Sequence, residues 1–162
     1  MLDLSHIFQK SLYIMDNTFV KDVMSKTTIT VSKSTSLQDA AHKMNSSNIG
    51  CVIVVDDSNP VGIVTERDFV TISSEGRPLF TEIFEVMSSP LITISPEETI
   101  WEASEIMKEK GIHKLPVKDN EQIVGMLTTS DIVKISSVGS DSQMRKICDQ
   151  ILLRMKHENR PD

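Results

Sequence analysis

Slid against itself by 63 residues, the chain matches itself: positions 23–76 fall on 86–139 without a gap. Twenty of those 54 pairs are identical, among them Val23/Val86, Met24/Met87, Gly62/Gly125, Thr65/Thr128 and Asp68/Asp131, where chance would give roughly three. An ungapped repeat of this kind is one supersecondary unit written twice. A single copy of about 55 residues would bury a poor core. The two copies are therefore expected to share one core and to pack about a pseudo-twofold axis. Any pocket between them would then occur twice.

Each copy reads as β-α-β-β-α. It opens on a β-prone run, Thr27–Val31 in the first copy and Leu91–Ile94 in the second. A turn rich in Ser, Thr, Pro and Lys follows, and then a helix start. Thr99 with Glu102 three residues on is a capping box, and Ser36 with Asp39 is its looser twin. Leu37, Ala40, Ala41 and Met44, and likewise Ile100, Ala103, Ile106 and Met107, recur at helical spacing and mark a core face. The helices are expected to stop near Asn48 and Gly111, residues that tolerate a left-handed cap. Two strands follow in each copy: 51–55 and 61–65 around a polar turn, then 115–118 and 123–128 around another. A last helix begins at Thr65 or Thr128. The fold class is α+β.

Beyond the repeat, Leu4, Ile7, Phe8 and Leu12 suggest an amphipathic N-terminal helix. Met144, Ile147, Cys148, Ile151, Leu152 and Met155 form a clear helical stripe at the other end, with Ser140 and Gln143 placed to cap it. The organisation expected is a flank over 1–19, a first repeat over 20–80, a second over 81–139, and a C-terminal amphipathic helix and tail over 140–162. No apolar run approaches the roughly 18 residues of a membrane span. The first residues include acids and no leading basic cluster, so they do not read as a signal peptide. A cytoplasmic protein that does not enter the membrane is expected. Cys51 sits in an apolar run, where a buried thiol is the plain reading. The four histidines are scattered, and no pair of residues has zinc-ligand spacing. The net charge of −6 is concentrated in 81–139, which holds ten acids and five bases. A nucleic-acid surface needs a clustered basic face instead.

The segments Gly62-Ile63-Val64-Thr65-Glu66-Arg67-Asp68 and Gly125-Met126-Leu127-Thr128-Thr129-Ser130-Asp131 share the form G-h-h-T-x-x-D, with h apolar. A threonine at a helix start with an aspartate three residues on is itself a capping box. A carboxylate can also accept both hydroxyl protons of a ribose, and helix N-terminal amides can meet phosphate oxygens. Both readings stand on these residues alone. The doubled motif, the β-α-β-β-α order, the openings Val23-Met24 and Val86-Met87, and Gly111-Ile112-His113-Lys114-Leu115-Pro116-Val117 together resemble the CBS domain over about residues 20–139. Paired CBS domains form the Bateman module, which in many members binds adenosine nucleotides or S-adenosylmethionine between the copies.

The resemblance implies two clefts, each taking its ribose-binding aspartate from one copy and much of its phosphate contact from the strand start of the other. One would join Thr65 and Asp68 to His113 and Lys114, with Arg67 on the same helix turn reaching the phosphate. The other would join Thr128, Ser130 and Asp131 to Gly50 and Cys51. Ile112 and Pro116 would pack on the adenine, although core packing explains them equally. The first copy departs from the family pattern, with Ile53 opposite Pro116 and Asn48 opposite Gly111. The clefts are therefore expected to be unequal.

The function expected is a stand-alone regulatory module that senses an adenosine-containing ligand (AMP, ADP or ATP) and acts through an effector protein or a homodimer rearrangement. It is not expected to be an enzyme. No nucleophile–base pairing, metal cluster or Gly-rich phosphate loop is visible, and no catalytic cofactor is implied. The alternatives are an S-adenosylmethionine-type sensor, a nucleic-acid-binding regulator using the terminal helices, and a structural dimer with vestigial clefts. Acidic charge and the placing of Trp101 inside a helical stripe argue against nucleic acid.

Overall fold

The structure, a computed structural model, describes residues 15–138 together with residues 9 and 13. The residues on which the two expected flanking helices rest lie outside those described. Four α-helices and two sheets are present among the described residues. In chain order they are β1 (Thr30–Ser32), α1 (Leu37–Ser46), β2 (Cys51–Asp56), β3 (Asn59–Thr65), α2 (Glu66–Ser74), α3 (Ile100–Lys110), β4 (Lys114–Asp119), β5 (Gln122–Thr128) and α4 (Thr129–Val138). The offset of 63 holds at the start of every element the copies share, including two 3-10 turns at Val20–Asp22 and Ile83–Glu85. No helix of the described residues is long and apolar enough to cross a membrane.

The chain divides into two compact units. One comprises residues 26–93 and 118–124, and the other, of the described residues, 15–25, 94–117 and 125–138. In the first unit β1 pairs parallel with β2, and β2 antiparallel with β3. Asp57 and Ser58 take positive φ at the hairpin turn (45° and 73°). The register shifts at Val54/Val55, opposite the Pro60 side of β3. A proline is tolerated there because β3 is an edge strand and the ladder is already interrupted. The core of this unit is Val31, Leu37, Ala40, Met44, Val52, Val54, Val64, Ile72 and Ile83. In the other unit Ile94, Ile100, Ala103, Met107, Leu115, Val117 and Leu127 are buried at the equivalent positions, and Val20 with them.

Ile83 and Val20 show that the expected sharing of one core takes another form. Ile83 falls at the opening of the second copy yet completes the core of the first. Its N–H donates to the Thr35 carbonyl at 2.8 Å, and the Val20 N–H donates to the Glu98 carbonyl at 2.9 Å. The same exchange recurs at the bridges. Ser88 pairs with Ile63 and Glu82 with Ser36, while Ser25 pairs with Met126 and Phe19 with Thr99. Each body is thus completed by the segment that opens the other copy.

The second copy lacks its expected first strand, and only an Ile94–Val117 parallel bridge stands in its place. Pro116 accounts for this. In the first copy the Ile53 N–H donates to the Ile29 carbonyl at 2.9 Å, whereas Pro116 stands at the equivalent position and has no N–H. One rung survives, from the Ile94 N–H to the Pro116 carbonyl at 3.1 Å.

The helix ends follow the sequence. Ser36 Oγ accepts from the Asp39 N–H at 3.1 Å. Asn48 and Gly111 both take positive φ, 51° and 64°, after α1 and α3. Trp101 departs from expectation: it lies beside the buried stripe of α3 and is 38% exposed. Cys51 is half-buried rather than buried, because it is the first residue of β2 and the sheet covers it only in part.

At α3, Glu102 Oε2 accepts from the Thr99 N–H at 2.7 Å and from Thr99 Oγ1–H at 2.9 Å. The backbone bond, then the hydroxyl, then a bond with Glu98 hold its carboxyl below the usual carboxylate range. Glu98 is pushed up, first by that shared bond and then by the Glu102 charge. A depressed carboxyl stabilises the fold above its unfolded-state pKa, and this support is lost as pH falls through the folded-state value. Glu102→Gln should therefore lower the urea midpoint at pH 7, and the gap from wild type should close as pH drops below the usual carboxylate range. Thr99→Ala should cost about 1 kcal/mol at neutral pH.

Candidate functional site

Both G-h-h-T-x-x-D segments run off the end of a strand into the first turn of a helix. In the first, Thr65 closes β3, pairs with Cys51 on β2 and caps α2. The Glu66 N–H donates to the Gly50 carbonyl at 3.1 Å, which pins the helix start to the start of β2. Asp68 turns back on Thr65. Its Oδ2 accepts from the Thr65 N–H at 2.7 Å and from Thr65 Oγ1–H at 2.8 Å.

The second copy repeats this geometry. The Thr129 N–H donates to the His113 carbonyl at 3.1 Å. Asp131 Oδ2 accepts from the Thr128 N–H at 3.0 Å and from Thr128 Oγ1–H at 2.6 Å. The Asp131 N–H closes the box on Thr128 Oγ1 at 3.3 Å. The capping reading of T-x-x-D is therefore realised in both copies.

Capping uses one carboxylate oxygen and leaves the other. Asp68 Oδ1 accepts no hydrogen bond from the described residues. Asp131 Oδ1 lies 3.4 Å from Lys134 Nζ, one helical turn along α4. Both aspartates are half-buried, so neither carboxylate is sealed inside a core. A carboxylate oxygen in that position can accept a ligand hydroxyl without giving up the cap.

Thr65, Arg67 and Asp68 fall in one unit, and Ile112, His113, Lys114, Pro116, Thr128, Ser130 and Asp131 in the other. Arg67 is exposed and has no ion pair among the described residues. His113 is exposed, while Ile112, Lys114 and Ser130 are half-buried. Pro116 is fully buried. Within the units, Thr65 pairs with Cys51, Glu66 bonds to Gly50, and Thr129 bonds to His113. Lys134 was not among the residues expected at the site, although its spacing of three from Asp131 on a helix places it within reach. No group of three or more metal-ligating side chains occurs among the described residues.

The CBS domain model matches this chain twice, over residues 20–75 and 83–138. An uncharacterized protein of Methanopyrus kandleri, MK0525, is 35% identical over 75% of this chain, which spans 64% of that protein's length. The CBS domain-containing protein YhcV of Bacillus subtilis is 31% identical, with 81% of this chain and 96% of YhcV aligned. Among solved structures, the CBS domain pair of protein MJ0100 in complex with 5'-methylthioadenosine and S-adenosyl-L-methionine superposes with a TM-score of 0.67 at 30% identity. It covers 73% of this chain and 94% of that one. Both copies of the repeat are CBS domains, and the chain belongs to the CBS-domain family as a tandem pair.

Proposed function

We propose that this CBS pair is a regulatory module that binds an adenosine-containing ligand, with AMP, ADP or ATP as the preferred class. The observation that carries the reading is the doubled T-x-x-D carboxylate, which caps a helix with one oxygen and keeps Asp68 Oδ1 for a ligand hydroxyl. Charge-assisted bonds from a ribose diol to such an oxygen are roughly twice as strong as bonds between neutral groups. The solved MJ0100 pair carries adenosine-containing ligands, in keeping with a site built for the nucleoside.

In this reading Thr65 and Asp68 hold the ribose. His113, Lys114 and Arg67 meet the phosphate, and Ile112 and Pro116 back the adenine. The Asp131 site, with Thr128 and Ser130, is the weaker one or takes a ligand without phosphate. The MJ0100 ligands favour a second reading for that site, a sulfur-linked adenosine such as S-adenosylmethionine or 5'-methylthioadenosine. The output passes through a partner protein or a homodimer, and the chain does no chemistry of its own.

A thermal-shift panel tests this. AMP, ADP, ATP, S-adenosylmethionine, 5'-methylthioadenosine and a short DNA duplex are compared at equal concentration. A ligand held at a hundred times its Kd stabilises the native state by about 2.7 kcal/mol. Adenosine ligands should raise the melting point and the duplex should not. Lys114→Ala should weaken AMP more than adenosine, because only AMP has a phosphate to lose. A flat response to every adenosine ligand would refute the reading, and a response to the duplex alone would replace it.

A further inference from the structure

One carboxylate atom is engaged in the second T-x-x-D site and not in the first, and Lys134 is the cause. We propose that Lys134 is a specificity-determining residue that latches the Asp131 site. Its ammonium occupies the carboxylate oxygen that a ribose hydroxyl would need, while the same oxygen of Asp68 stays open. The inference rests on the proposal that these aspartates accept a ligand diol.

In both copies Oδ2 is committed to the cap by the threonine N–H and hydroxyl. Oδ1 is then the oxygen left for a ligand. Lys134 Nζ stands 3.4 Å from Asp131 Oδ1. The residue in the equivalent position of α2 is Thr71, which is exposed and too short to reach Asp68 in this way. The Lys134 side chain is 64% exposed and the Asp131 side chain 19%. The pair is therefore weak, of the surface kind measured at about 0.2–1 kcal/mol. A latch of that strength does not close the site. It raises the threshold for the ribose diol at this site, in keeping with the weaker of the two sites.

Adenosine is the probe, because it carries the diol and no charge. Calorimetry on the full chain with Asp68→Ala reports the Asp131 site alone, and the Asp131→Ala chain reports the Asp68 site alone. In the first background Lys134→Met should tighten adenosine about two- to fivefold. In the second, Thr71→Lys should weaken it by a similar factor. Raising salt should tighten adenosine at the Asp131 site of the Lys-bearing chain and leave the Lys134→Met chain unmoved, since screening loosens only an ion pair. A purely structural role for Lys134 would not produce that salt dependence. Binding that needs Asp131 but is unchanged or weakened by Lys134→Met would overturn the latch while leaving the ribose reading intact. Absence of adenosine binding in wild type, in both backgrounds and in Lys134→Met would overturn both.

Discussion

Asp68→Ala is expected to lower adenine-nucleotide affinity about ten- to a hundredfold, while Asp131→Ala leaves the tighter binding phase in place. The magnitude follows from the bonds at stake. Hydrogen bonds to a charged partner contribute about 1.5–3 kcal/mol net, and each 1.4 kcal/mol is a factor of ten. Asp68 is half-buried and has an open oxygen, whereas the oxygen of Asp131 is already engaged by Lys134. The same substitution also removes a cap, so the fold must be assayed alongside. Loss of the α2 capping box should cost about 1 kcal/mol, too little to unfold the domain and separable from affinity by calorimetry at a temperature well below melting. Equal losses of affinity from the two alanine variants would contradict the asymmetry.

Gly62→Ala and Gly125→Ala are expected to destabilise the protein by about 1–3 kcal/mol each, the range for overpacking. Neither glycine is needed for a left-handed backbone. Each is needed for space. A Cβ on Gly62 would stand 2.5 Å from Met87 Sδ and 2.9 Å from the Ser88 carbonyl oxygen. On Gly125 it would stand 2.5 Å from Met24 Sδ and 2.8 Å from the Ser25 carbonyl oxygen. A methionine can swing aside, but the carbonyls cannot. Ser88 and Ile63 exchange hydrogen bonds of 2.9 and 3.1 Å, and Ser25 and Met126 exchange two of 2.9 Å. Shortening Met87 to alanine in the Gly62→Ala chain should therefore recover only part of the loss. Urea midpoints would check this, and a loss below about 0.5 kcal/mol, the usual range for inconsequential surface changes, would contradict it.

Much of this fold was legible because the repeat is ungapped. The hairpins, the caps at Ser36 and Thr99 and the left-handed stops at Asn48 and Gly111 follow from local chemistry that each residue carries with it. The exchange of opening segments was not legible, for a definite reason. Whether Val20 packs on the first copy or the second, the offset of 63 looks the same, since Ile83 obeys the mirror-image choice. The lost strand could have been read from Pro116 only by knowing that this position donates to a parallel neighbour. At the candidate site, the threonines and aspartates were legible from the motif. Lys134 was not, because the repeat directs attention to positions the copies share, and Lys134 matters by being unlike Thr71.

The exchange of opening segments changes what a truncation means. Removing everything before residue 26 leaves every core residue of the first body in the chain. The damage falls on the other body, whose buried Val20 goes with the deleted piece, along with the Val20–Glu98 and Ser25–Met126 bonds. Cutting between the copies at residue 80 strips Ile83 from the first body in the same way. A deletion map drawn along the sequence would therefore assign each defect to the wrong domain, and the lesion must be looked for one repeat away from the cut.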